Sequence, residues 1–226
     1  MSDLFPVQSC EIQLWESSLP AFQDMDGEEF EVLPLGIGSF DAGISLSSHL
    51  AQNPQIHSVL FIGTAGYNPL LKSNECMGVG EVVVGQSAFW WDSDLGRGES
   101  YLPEGGNSPY HAQCESLFKH IRHLRELDRQ GLAVSTAGIS LVDPVKHPLA
   151  PSAPHSAIVE NLEVFGVIRT LQKHKIKGNF VLGITNTIHA SASQQWRKNH
   201  IQCSVHAQKV VLDFLQREKW KPRQEI

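Results

Sequence analysis

The feature that most constrains this chain is a set of short, continuous apolar runs, Val59-Leu60-Phe61-Ile62 and Val82-Val83-Val84 foremost, separated by segments with helical periodicity. A strand with one wetted face alternates apolar and polar residues; a run without alternation must be covered on both faces, and helices are the usual cover. Strand-like runs at 4–9, 30–35, 59–63, 81–87, 132–136 and 180–185 alternate with helical patterns at 11–17, 40–51, 110–130, 158–174 and 190–218. Alternation of this kind predicts an α/β layered fold built on a central sheet. The last helix carries the clearest stripe, with Trp196, His200, Cys203, Ala207, Val210, Val211 and Phe214 at steps of three and four.

Composition narrows the function. The chain has 226 residues, 18 Lys+Arg against 24 Asp+Glu and a formal charge of -6, with no basic stripe to neutralise a phosphate backbone. Nucleic acid is therefore excluded as a main partner. No basic n-region precedes an apolar stretch at the N-terminus, and no apolar run spans a bilayer, so the sequence predicts a cytoplasmic protein with no membrane partner. Cys10, Cys76, Cys114 and Cys203 are too scattered for a disulfide framework or a cysteine zinc site and read as small buried residues. His120, His123 and Glu126 have a spacing that can hold metal, but no third ligand stands at a fixed offset, so solvated histidines are the better reading. Phe89-Trp90-Trp91 is open to three readings: core, subunit interface or ligand contact. Gly- and Pro-rich stretches at 91–109 and 143–156 read as functional loops.

Three places join backbone-permissive glycines to polar side chains at strand ends: Gly36-Ile37-Gly38, Gly63-Thr64-Ala65-Gly66 and Gly183-Ile184-Thr185-Asn186. Ligands of open α/β sheets bind beyond the carboxyl ends of strands, which makes these the candidate site. Each is weak alone, since Gly36-Ile37-Gly38 lacks the third glycine and downstream acid of a dinucleotide fingerprint. Glu160 and Glu163 either sit in a first helical turn, where acids favour the macrodipole, or serve chemistry. Glu11, after the first strand, has the same two readings, and Asn186 could instead cap a helix starting at Thr187.

The order and spacing of these elements together resemble the nucleoside phosphorylase and nucleosidase superfamily from about Leu4 to Phe214. Leu35-Gly-Ile-Gly38 is similar to its G-I-G turn, Gly63-Thr-Ala-Gly66 to its G-[ST]-A-G turn, and Val79-Gly-Glu-Val-Val-Val84 to its V-G-D-[IV]-V-V strand. Val159-Glu-Asn-Leu-Glu163 and Ile184-Thr-Asn186 resemble the V-E-N-M-E and I-S-N forms of futalosine hydrolases, where methylthioadenosine/S-adenosylhomocysteine nucleosidases carry V-E-M-E and I-S-D. Tyr67, Val164, Phe165 and Leu182 depart from the family pattern, Leu182 replacing an arginine.

The resemblance implies one domain over residues 1–226, a three-layer α/β/α arrangement with a central mixed, partly barrel-like sheet, no cofactor or metal, and a homodimer or larger homo-oligomer. It implies catalytic roles for Glu11, Asn186 and Glu163: Glu11 to deprotonate water, Glu163 to bind ribose hydroxyls, Asn186 to face the base. Thr64, Ala65, Gly66, Ile139, Ser140, Asn161, Leu162 and Glu163 would line the substrate. An amide donates to N7 or O6 of a 6-oxopurine but is no general acid, so Asn186 favours a hypoxanthine-type base over adenine. A dianionic phosphate asks for guanidinium groups and amides, and no Arg precedes Arg97, so water is favoured as nucleophile. The expected activity is hydrolysis of futalosine in menaquinone biosynthesis. A phosphate-dependent phosphorylase and a non-catalytic nucleoside-binding protein remain the alternatives.

Overall fold

The computed structural model describes residues 3–7, 30–67, 78–91, 111–117, 132–136, 157–189 and 191–217. Among these, nine strands form one mixed sheet: β1 (Asp3–Val7), β2 (Phe30–Pro34), β3 (Ser58–Tyr67), β4 (Val82–Gly85), β5 (Ser87–Trp91), β6 (His111–Gln113), β7 (Leu132–Thr136), β8 (Ala157–Glu160) and β9 (Lys177–Thr187). Three helices are described: α1 (Ser39–Gln52), α2 (Val164–His174) and α3 (Ala192–Arg217).

Strand β3 organises the sheet. All ten of its residues are buried, as the unbroken apolar run predicts, and β9 pairs with it in parallel along its whole length. On its other edge β1 pairs in parallel as far as Ile62. Beyond that point β8 takes the edge in antiparallel sense, pairing Gly66 with Glu160 and Tyr67 with Val159. This exchange of partners lets β8, β7 and β5, mutually parallel, continue the sheet in a new direction. The expected mixed, curled sheet follows from it.

The two sheet faces are covered separately. Val59, Phe61 and Ala65 of β3 and Phe180, Leu182 and Ile184 of β9 join one core with Ala42, Leu46 and Leu50 of α1 and Val164, Val167, Ile168 and Leu171 of α2. Those helical positions recur at three and four residues, so each helix turns one stripe inward. On the opposite face α3 lies against β9 and β3, burying Cys203, Ala207 and Val211. A Cβ at Gly183 would stand 2.3 Å from the Cys203 carbonyl oxygen, so α3 can seat only where β9 lacks a side chain. Each large apolar side chain removed from water contributes about 1.5–3 kcal/mol. Phe61, Phe180, Leu46 and Ile168 are among the largest wholly buried.

Helices α1 and α2 cross at glycines. Gly43 lies against the Gly166 backbone, and an added Cβ on Gly166 would stand 1.8 Å from the Ser39 carbonyl oxygen. Thr170 Oγ1 donates to the Gly43 carbonyl at 3.2 Å across the same contact.

Three expectations need correction. The predicted helix 110–130 begins instead as strand β6, because Ala112 pairs with Ala88 of β5 and tertiary pairing overrides local propensity. The run at 81–87 is interrupted after Gly85, and a separate strand, β5, continues through Phe89-Trp90-Trp91. The pattern at 158–174 divides into β8 and α2, with a turn at 161–163 between them. The predicted helix 11–17 and the His120, His123 and Glu126 group lie outside the described residues. Cys114 and Cys203 are buried as expected, and burial pushes the Cys114 thiol up to about 11, which keeps it unreactive at neutral pH. Among the described residues no helix is long and apolar enough to cross a membrane, and no cluster could hold a metal ion.

Candidate active site

The chemistry-bearing residues meet where β3, β8 and β9 end. Gly66 pairs with Asn186 on one side and with Glu160 on the other, so the exchange of partners along β3 brings the 183–186 and 160–163 segments to one place. Asn161 locks this junction. Its Nδ2 donates to the Thr64 carbonyl at 2.8 Å, while its Oδ1 accepts from the backbone N–H groups of Glu163 and Val164, both at 2.8 Å. The amide thus caps α2 from outside the helix and ties the helix start to β3. Both ends of the Asn161 side chain are used by the protein, which makes it a positioning residue.

Glu163 is the N-cap of α2, but its side chain makes no cap hydrogen bond. Instead Oε1 accepts from the Gly38 backbone N–H at 2.9 Å, with only 2% of the residue exposed. Gly38 precedes α1 with φ 88°, a conformation that suits glycine, and so turns its N–H toward the carboxylate. The positive end of the α1 dipole faces the same charge. Ser39 Oγ donates to the Leu162 carbonyl at 2.7 Å and fixes the second half of the contact. Thus the G-I-G turn and the V-E-N-L-E segment, 125 residues apart, form one unit. Glu160, by contrast, lies in β8 rather than in a helical turn.

Asn186 is buried at the end of β9, and Thr187 continues the strand, so it caps no helix. Its amide lies over Gly66: an added Cβ there would stand 2.8 Å from Nδ2. The Gly63-Thr64-Ala65-Gly66 segment, expected as a turn, is the end of strand β3, and the Asn186 amide occupies the space a side chain at Gly66 would take. Thr64 is buried, and its Oγ1 accepts from the Trp196 indole N–H at 3.3 Å. With a lone pair so occupied, the hydroxyl proton is directed elsewhere as a donor.

Ala65, Gly66, Leu162 and Asn161 all lie at this junction. Glu11, Ile139 and Ser140 lie outside the described residues. Of the departures from the family pattern, Leu182 is wholly buried in the core and Tyr67 is nearly so, while Phe165 packs against Trp90 with ring centroids 5.5 Å apart. Sequence reasoning missed three contributors: Trp196, which read as core stripe; Asn199, whose Nδ2 donates to the Thr185 carbonyl at 2.9 Å; and Gln195, which accepts from Thr187. Amide side chains at 195 and 199, flanking Trp196 near the start of a helix, were their only signal.

No protein-family model and no curated protein sequence matches the chain. Solved structures do. An S-adenosylhomocysteine nucleosidase from Streptococcus pyogenes, in complex with 5-methylthiotubericidin, superposes with a TM-score of 0.75 at 14% identity, covering 96% of this chain and 97% of that one. The chain has the nucleosidase fold. A futalosine hydrolase mutant from Helicobacter pylori matches with a TM-score of 0.73 at 14% identity over 96% and 100% of the two chains. The methylthioadenosine/S-adenosylhomocysteine nucleosidase of Streptococcus pneumoniae, in complex with 8-aminoadenine, reaches 0.71 at 16% identity over 96% and 99%. Solved structures named for the two activities thus share this backbone about equally well.

Proposed function

We propose that this chain is a purine nucleosidase acting on a 6-oxopurine nucleoside, with futalosine as the expected substrate and hypoxanthine as the released base. The observation that carries the reading is the meeting of Asn186 and the 160–163 segment on Gly66, with Glu163 braced by the Gly38 amide. Cleavage of an N-glycosidic bond builds positive charge on the ribosyl ring and negative charge on the departing base. A buried carboxylate at Glu163 suits the first, binding ribose hydroxyls and stabilising the cation. The Asn186 amide suits the second, donating to N7 or O6. Water then adds its oxygen to the anomeric carbon, and its proton ends on the freed base; Glu11 is the proposed base for that transfer. Futalosine incubated with enzyme and a coupled oxidase, with and without phosphate, should yield hypoxanthine at a phosphate-independent rate. No product from folded protein would overturn the activity. Phosphate-dependent turnover to ribose 1-phosphate would make the chain a phosphorylase instead.

Asn186→Asp replaces a donor amide by a group that can accept from a 6-amino substituent and, protonated, donate to N7. The ratio of kcat/KM for inosine to that for adenosine should fall by about 10- to 100-fold, the effect of mispairing one buried polar group at about 1–3 kcal/mol. An unchanged ratio would remove Asn186 from base recognition.

We also infer a homodimer or larger homo-oligomer, placed in the cytoplasm. Phe40 and Ile44, four apart on α1, are 78% and 52% exposed, and Ile37, in the turn before the helix, is 62% exposed, so apolar side chains stand out beside Gly38. Such patches mark contact surfaces. Sedimentation showing only a 25.0 kDa species would overturn the assembly.

A further inference from the structure

The register of β3 and β9 slips by one residue beside the site. Ala65 pairs with Ile184 and Gly66 with Asn186, which leaves Thr185 as an extra, bulged residue on β9. Bulges next to sites re-aim side chains. Here the wholly buried Thr185 hydroxyl stands 2.7 Å from Asn186 Oδ1 and 3.1 Å from the Ala65 carbonyl oxygen. A hydroxyl has one proton, and the shorter contact is to the amide.

On its other side the Asn186 amide has Nδ2 3.2 Å from the Thr187 carbonyl oxygen. That oxygen only accepts, so the atom facing it must be the nitrogen, and the atom facing Thr185 must be the oxygen. Turned over, the amide would set oxygen against oxygen at the Thr187 carbonyl. Thr185 and the Thr187 carbonyl therefore hold the amide from both ends. Two bonds made, the amide keeps one N–H to offer a ligand.

We propose that Thr185 is a specificity-positioning residue: by donating to Oδ1 it fixes the orientation of the Asn186 amide, so that the free N–H is presented to the base and purines with an acceptor at position 6 are chosen over those with an amino group. The proposal rests on the nucleosidase reading and adds to it the residue that sets the polarity of the base contact. Without the Thr185 proton, Oδ1 is left without that donor in a buried place, and the amide swings to recover one. A swung amide no longer presents a fixed N–H, and discrimination falls.

The test measures kcat/KM for inosine and adenosine, and calorimetric affinities for hypoxanthine and adenine, in wild type, Thr185→Val, Thr185→Cys and Thr185→Ser. Wild type should favour the 6-oxo member of each pair. Thr185→Val, which keeps shape and loses the hydroxyl, should lower the preference about tenfold, with Asn186 and the fold still present. Thr185→Cys, a weaker donor, should move the same way, and serves if the valine variant does not fold. Thr185→Ser should restore the wild-type ratio. An unchanged ratio in Thr185→Val or Thr185→Cys, or a lost one in folded Thr185→Ser, would overturn the proposal while leaving the nucleosidase reading intact. A wild type that binds neither base would overturn both.

Discussion

Glu163→Gln should lower kcat by about 10²–10³-fold while KM changes far less. The residue is 2% exposed and its carboxylate accepts from the Gly38 backbone N–H, so its charge acts through little solvent. Removing a preorganised group aimed at transition-state charge costs on that scale. Glutamine preserves the volume and an oxygen for the Gly38 amide, which separates charge from packing. Because glutamine keeps an acceptor for the Gly38 N–H, a cooperative urea transition in the variant would show that the loss of kcat comes from the charge and not from unfolding. A variant retaining most of its kcat would mean that Glu163 braces the G-I-G turn and does no chemistry.

Gly166→Ala should destabilise the fold by about 2 kcal/mol. Two effects compete at this helical position. Helix propensity favours alanine over glycine by about 1 kcal/mol. Against it, the new Cβ would lie 1.8 Å from the Ser39 carbonyl oxygen, 2.7 Å from its carbonyl carbon and 2.9 Å from its Cα. All three are backbone atoms of the first turn of α1, which cannot rotate away as a side-chain tip could, and overpacking of this kind costs 1–3 kcal/mol or more. Sterics wins. Urea denaturation followed by circular dichroism would measure it, and a midpoint at or above wild type would refute the crossing geometry. The same substitution should weaken Glu163, because parting α2 from α1 draws the carboxylate away from Gly38.

The layered fold was legible in the sequence because β3 and β9 are buried on both faces and must be written in apolar residues with glycines where helices or partners touch. Strand extents were less legible: β3 runs on to Tyr67 and β9 begins at Lys177, since strand pairing extends past the apolar run. Residue 112 could not be assigned from the sequence. Its strand exists only because Ala88 is opposite, a contact between distant parts of the chain. In the site, order and spacing grouped the Glu163 and Asn186 segments, which the sheet brings together at Gly66; Glu163 stands at the start of α2 with its carboxylate on Gly38, and Asn186 lies inside a strand and caps no helix. Thr185 and Asn161 show the limit. Spacing names a polar residue, but whether it meets substrate or its neighbours depends on a register slip and an amide orientation, and neither leaves a trace in residue order.

The bracing of Glu163 by Gly38 has a thermal consequence. Gly38 and Glu163 are the N-caps of two core helices, and Asn186 is part of a central strand, so both groups are anchored to core elements. Such elements exchange their amides only at the highest opening energies of a fold. This pair therefore belongs to the cooperative unit that melts last, and loosening of the periphery on warming would leave their mutual geometry in place until the core itself gives way.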